Sequence, residues 1–118
     1  MTDRLQIAVD SGRQCALMSL RGRVDIESSP DLREGLLALL ETQSSQGTIT
    51  IDLAEVSYLD TSGVATLIEG LKIARIGSIS MQLQGLQGHL LHLFQATGLA
   101  SLFDIDGPAN NLSTTTVS

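Results

Sequence analysis

Thr48-Ile49-Thr50-Ile51-Asp52-Leu53 alternates polar and apolar residues one for one, and Val64, Leu67, Ile68 and Leu71 then recur at i, i+3, i+4 and i+7. The first period is that of a half-buried strand, the second that of an amphipathic helix. Ile79, Met81 and Leu83 alternate again, with Ser78, Ser80 and Gln82 between them. Strand, helix and strand in that order imply a parallel pair joined by a right-handed crossover. The polar half of each strand decides the architecture. A sheet covered by helices on both faces has near-continuous apolar strands. These strands are apolar on one side only, so the helices are expected mainly on one face. That separates the chain from doubly wound nucleotide-binding folds.

Working outward, Leu5, Ile7 and Val9 alternate with Gln6 and Ala8, and Cys15 to Arg21 reads as a second strand. The short turn Ser11-Gly12-Arg13-Gln14 makes the two a hairpin. Cys15, set in an apolar strand, is expected in the core. Ser28-Ser29-Pro30-Asp31 opens a helix, with Ser29 as N-cap and Pro30 at the first helical position. Leu32, Leu36, Leu39 and Leu40 continue it, and it should stop before Gly47. Gly77 closes the second helix. Leu90, Leu93 and Phe94 mark a third, ended by Gly98, and Leu102 to Ile105 suggests a short last strand. The expected fold is α/β: a mixed sheet of four to five strands with three or more helices, in the order β-β-α-β-α-β-α-(β). Residues 1–106 form the domain. Gly107-Pro108 breaks the pattern, and the polar stretch to Ser118 reads as a disordered tail over residues 107–118.

The 118 residues are enough for one core. Hydrophobic residues are 42% and charged residues 17%, as in a globular domain. Seven Lys and Arg against thirteen Asp and Glu give a net charge of −6, and aromatics are 3% with no Trp. Nucleic acid is therefore an unsuitable partner, since phosphates need a basic patch and bases need aromatic platforms. A polybasic membrane-surface module is equally disfavoured. An acidic domain suits a partner with a basic face. The single Cys15 permits no intrachain disulfide. No apolar run reaches the length of a membrane span, and the first residues carry no signal-peptide pattern. The expectation is a soluble cytoplasmic domain that does not insert into a membrane; the oligomeric state stays open.

Catalytic signatures are few. Walker, dinucleotide-binding and HExxH motifs are missing. His89 and His92 lie three apart, but two ligands with no nearby thiol or carboxylate make a poor metal site, so they read as the edge of an amphipathic helix. Gly85-Leu86-Gln87-Gly88 has a GxxG spacing without basic neighbours and reads as a loop. Nothing places a histidine beside Ser62 for a triad. No cofactor, no metal and no enzymatic activity are expected. One segment stands apart, Val56-Ser57-Tyr58-Leu59-Asp60-Thr61-Ser62-Gly63-Val64, joining the middle strand to the second helix. Asp60 or Thr61 can cap that helix, which leaves the Ser62 hydroxyl at its first turn on the rim of the sheet. Gly63, lacking a side chain, would let a partner approach closely. On residue types alone the segment is first of all a good helix start.

Ile51-Asp52-Leu53-Ala54-Glu55-Val56-Ser57-Tyr58-Leu59-Asp60-Thr61-Ser62-Gly63 resembles the signature of STAS domains, in particular those of anti-sigma-factor antagonists. Leu20-Arg21-Gly22-Arg23-Val24-Asp25 is similar to the family's acidic loop, and Leu90, Leu93, Phe94, Thr97, Gly98 and Leu99 to its last-helix pattern. The resemblance runs from about Leu5 to Ile105. It implies a non-catalytic regulatory binding protein. The unmodified form would bind an anti-sigma factor that is also a serine kinase. Phosphorylation at Ser62 would release it, and a phosphatase would restore it. The same resemblance implies partner contacts at Asp25, Asp60, Thr61, Ser62 and Gly63. The alternative it allows is a small cytoplasmic STAS subunit docking on the ATPase of a lipid-transporting ABC system. The cytoplasmic end of an anion transporter is a weaker third.

Overall fold

The computed structural model describes residues 3–106. Strands β1 (Gln6–Ser11) and β2 (Cys15–Val24) form the hairpin; α1 (Ser29–Thr42), β3 (Thr48–Leu59), α2 (Thr61–Ile76), β4 (Ser80–Gln84) and α3 (Gly88–Ala96) follow. A short 3-10 turn (Leu99–Ser101) leads into β5 (Asp104–Asp106). The sheet order is β1-β2-β3-β4-β5. β1 runs antiparallel to β2, and the other neighbours are parallel. The mixed α/β sheet expected from the sequence is the one observed, with the last strand beginning two residues later. The tail expectation falls on residues 107–118, outside the described residues.

Alternation sets the faces. Met18 opposes Ile51, and Ile51 opposes Leu83, so one side of three strands is apolar and fully buried. Leu32 and Leu36 of α1 and Leu67 of α2 close over that side. Gly35 lies over the Met18 methyl, and Gly70 lets α2 settle onto Leu36 of α1. The opposite face carries Ser19, Thr50, Asp52, Gln82 and Gln84, all only half-buried. Phe94 of α3 joins the same core and meets Phe103 with ring centroids 6.2 Å apart.

Four details depart from the sequence reading. Cys15 is exposed, because β2 buries Ala16, Met18 and Leu20 and turns Cys15 to the other face. Ser29 is the first helical residue, not the cap, so Pro30 comes second. Ser28 holds the cap position, yet its hydroxyl accepts from the Asp25 N–H at 3.0 Å and donates to the Arg23 carbonyl at 3.0 Å. β3 continues six residues beyond Leu53, and β2 runs on to Val24. Two register shifts against β2 each give β3 one extra residue, and its buried positions then fall at Leu53, Val56 and Leu59, three apart. A bulged strand does not keep a period of two, which is why its second half reads from sequence as a loop. Finally, α3 ends at Ala96 with Thr97 as its C-cap, and Gly98 follows in the left-handed conformation.

Candidate functional site

Val24 and Leu59 are paired at the carboxyl ends of two parallel strands. The chain leaves Leu59 into Asp60, whose N–H donates to the Val24 carbonyl at 3.1 Å, and α2 begins at Thr61. The sheet rim where two strand ends meet a helix N-terminus thus places the loop after β2 beside the start of α2.

Asp60 is the N-cap. Its Oδ1 accepts from the Ser62 N–H at 2.9 Å, the Gly63 N–H at 3.2 Å and the Ser62 hydroxyl at 2.5 Å. Ser62 is therefore the second helical residue, half-buried rather than enclosed, with its hydroxyl proton held by Asp60. Its carbonyl accepts from the Thr66 hydroxyl at 2.9 Å, which ties the first turn of α2 to the next. The Ser62 hydroxyl bond is the main cause holding the Asp60 carboxyl below its ordinary pKa. Partial burial opposes this, and the N–H groups of Gly63, Ser62 and Ile26 add to the lowering. Thr61 is exposed.

Gly63 corrects an expectation. A Cβ there would lie 2.6 Å from both Leu59 Cδ1 and Val24 Cγ1. The missing side chain makes room for the core beneath, not for a surface above.

Asp25 organises the neighbouring loop. Its Oδ1 accepts from the N–H groups of Glu27 at 3.0 Å and Ser28 at 3.2 Å, and its Oδ2 lies 3.5 Å from Arg23 Nε. Partial burial would raise its pKa, but the bonds from Ser28, Glu27 and Arg23 together leave it lowered. Arg23 also stacks over the Tyr58 ring, 4.1 Å from its centroid. Arg23, Tyr58 and the 74%-exposed Ile26 are features of this rim that motif reading missed. The available signal was Ile26 itself, an apolar residue between two acids and outside any periodic pattern.

The remaining candidates lie elsewhere. His89 and His92 are exposed on α3. Among the described residues, no group of three or more His, Cys, Asp or Glu could hold a metal ion. The first glycine of Gly85-Leu86-Gln87-Gly88 is explained by packing: φ is +79°, and a Cβ would sit 2.8 Å from the Ala54 nitrogen. No helix among the described residues is long and apolar enough to cross a membrane.

A family described as Mlab, STAS domain matches residues 7–104. The chain belongs to the STAS domain family. Within it, the resemblance is to anti-sigma-factor antagonists. An anti-sigma-B factor antagonist of Bacillus subtilis (strain 168) is 33% identical over 88 residues, covering 75% of this chain and 78% of the relative. The fold matches that of the anti-sigma factor antagonist SpoIIAA in its unphosphorylated form, with a TM-score of 0.72 and 16% identity over 92% of this chain and 90% of the other. It also matches Bacillus SpoIIAA in the phosphorylated form, with a TM-score of 0.67 and 16% identity over 92% and 94%. The chain is thus an antagonist-type STAS domain, related to regulators of sigma factors.

Proposed function

We propose that the unmodified chain binds an anti-sigma factor with serine kinase activity through the rim formed by Asp25, Asp60, Thr61 and Ser62, and that phosphorylation of Ser62 releases it. Gly63 contributes by letting the start of α2 sit down on Val24 and Leu59. The observation that carries the reading is the Ser62 hydroxyl, half-exposed at the second position of α2 and already oriented by Asp60. The relatives' names point to the partner class, and a relative with a phosphorylated form points to the modification. In the transfer, the γ-phosphoryl group of ATP passes to Ser62 Oγ, the hydroxyl proton is lost and ADP leaves. A phosphatase hydrolyses the ester.

The physics separates folding from binding. The new phosphate carries a charge of about −1.5 to −2. A helix N-terminus tolerates an anion, since its free N–H groups and dipole favour negative charge. The phosphate removes the proton shared with Asp60 and stands beside that carboxylate. In an interface it adds bulk and must be desolvated, and one broken buried polar contact weakens binding roughly tens to thousands of fold.

Parent and Ser62→Asp chains, immobilised and exposed to native lysate, test the reading. A sigma-regulating kinase should be retained by the parent and lost by the variant, and that kinase with ATP should label Ser62. Retention by both chains, or labelling confined to Ser113–Thr116, would refute it. Capture of a transporter ATPase instead would support the lipid-transport alternative.

A further inference from the structure

Large apolar side chains exposed singly are common on soluble domains, and Ile76 at the far end of α2, 86% exposed, is one. Ile26 is different in two respects. It is 74% exposed, yet the loop that carries it is locked. The Asp25 carbonyl accepts from the Ser29 N–H at 2.7 Å and the Ser28 N–H at 3.1 Å, while the Asp25 carboxylate takes Glu27 and Ser28. Ser28 ties the other end to Arg23. Ile26 also adjoins the site, since it lies two residues past Val24, whose carbonyl accepts from the N–H of Asp60, the residue that holds Ser62. An apolar side chain presented to water on a fixed backbone gains nothing for the isolated fold. It lowers the ordering cost of being buried by something else.

The surroundings say what that is. Asp25 and Glu27 flank Ile26 in the chain, and both line a depression with Asp3, Asp31, Arg4 and Arg23. The nearest cation in sequence, Arg23, is engaged by Asp25 and the Tyr58 ring. The surface is an aliphatic knob beside a depression in which carboxylates outnumber arginines four to two.

We propose that Ile26 is the apolar anchor of the interface that Ser62 controls, inserting into an aliphatic socket on the partner whose edge is basic. This rests on the proposed function. It adds where the affinity comes from: the phosphate site is a gate beside the anchor, not the anchor itself. Acidic residues around it steer encounter and set specificity more than affinity.

The test uses the full chain and, as probe, the purified protein that the parent retains and Ser62→Asp does not. Burying an isoleucine side chain corresponds to roughly tenfold to hundredfold in affinity. Ile26→Ser should lose that much while melting as the parent does, because the side chain is exposed. Ile26→Leu should restore most of the binding. Ile76→Ser, about 20 Å away along α2, should bind as the parent. Glu27→Lys should slow association and flatten its salt dependence. If Ile26→Ser binds like the parent while Ser62→Asp does not, the anchor is elsewhere and only this inference fails. If no protein distinguishes parent from Ser62→Asp, the proposed function fails and the anchor with it.

Discussion

Gly63→Ala tests whether the site is built from the core upward. The added methyl would stand 2.6 Å from Val24 Cγ1 and 2.6 Å from Leu59 Cδ1. Carbon atoms pack comfortably at about 3.5–4.0 Å, so roughly 1 Å must be found on two sides at once. Both neighbours are buried, Val24 completely and Leu59 to within 6%, and neither is the free end of a flexible chain. Overpacking of this kind costs about 1–3 kcal/mol. Replacing a helical glycine by alanine gives back about 0.5–1 kcal/mol. A net loss of up to about 2.5 kcal/mol follows, centred near 1 kcal/mol, and about 1 kcal/mol lowers Tm by roughly 4 °C in a domain of this size. Thermal and urea unfolding of Gly63→Ala, Val24→Ala and the double variant measure it. Val24→Ala removes one of the two obstacles, so Gly63→Ala should cost at least about 0.5 kcal/mol less in that background. A Gly63→Ala chain as stable as the parent, or strictly additive effects in the cycle, would refute the packing argument and return Gly63 to the contact surface.

Two further expectations concern the cap and the core. The Asp60 carboxyl is held below its ordinary pKa in the folded chain, so its contribution is complete above the unfolded value of about 3.9 and is lost as pH falls through the lower folded value. The Tm gap between parent and Asp60→Asn should hold at neutral pH and close under acid; a gap independent of pH would show that the charge of Asp60 does not support the cap. Phe94→Ala removes a fully buried ring that meets Phe103, and its cost of about 3–5 kcal/mol in urea unfolding would show that α3 belongs to the cooperative core. A loss below about 1 kcal/mol would mean α3 unfolds by itself.

Much of the architecture is written locally. Thr48 to Leu53 and Ile79 to Leu83 carry a period of two, Val64 to Leu71 a period of 3.6, and each names its element because neighbouring residues alone set which way side chains point. Single-sided strands likewise foretold a sheet with one polar face. A cap at Asp60 or Thr61 and Ser62 at the rim followed from residue type and spacing, since a cap bonds only to residues two or three ahead; the structure puts the cap at Asp60.

Other features depend on partners distant in sequence. The bulges of β3 exist only against β2, so the run from Ala54 to Leu59 shows no strand period. Which side of β2 is buried is settled by α1 and α2, and Cys15 falls on the other. Gly63 owes its role to Val24, thirty-nine positions earlier. Ile26 lies two residues past Val24, which bonds the cap of a helix that begins thirty-five positions after Ile26. Periodicity reports the direction of a side chain. What it meets there is decided by chain closure, which local sequence does not encode.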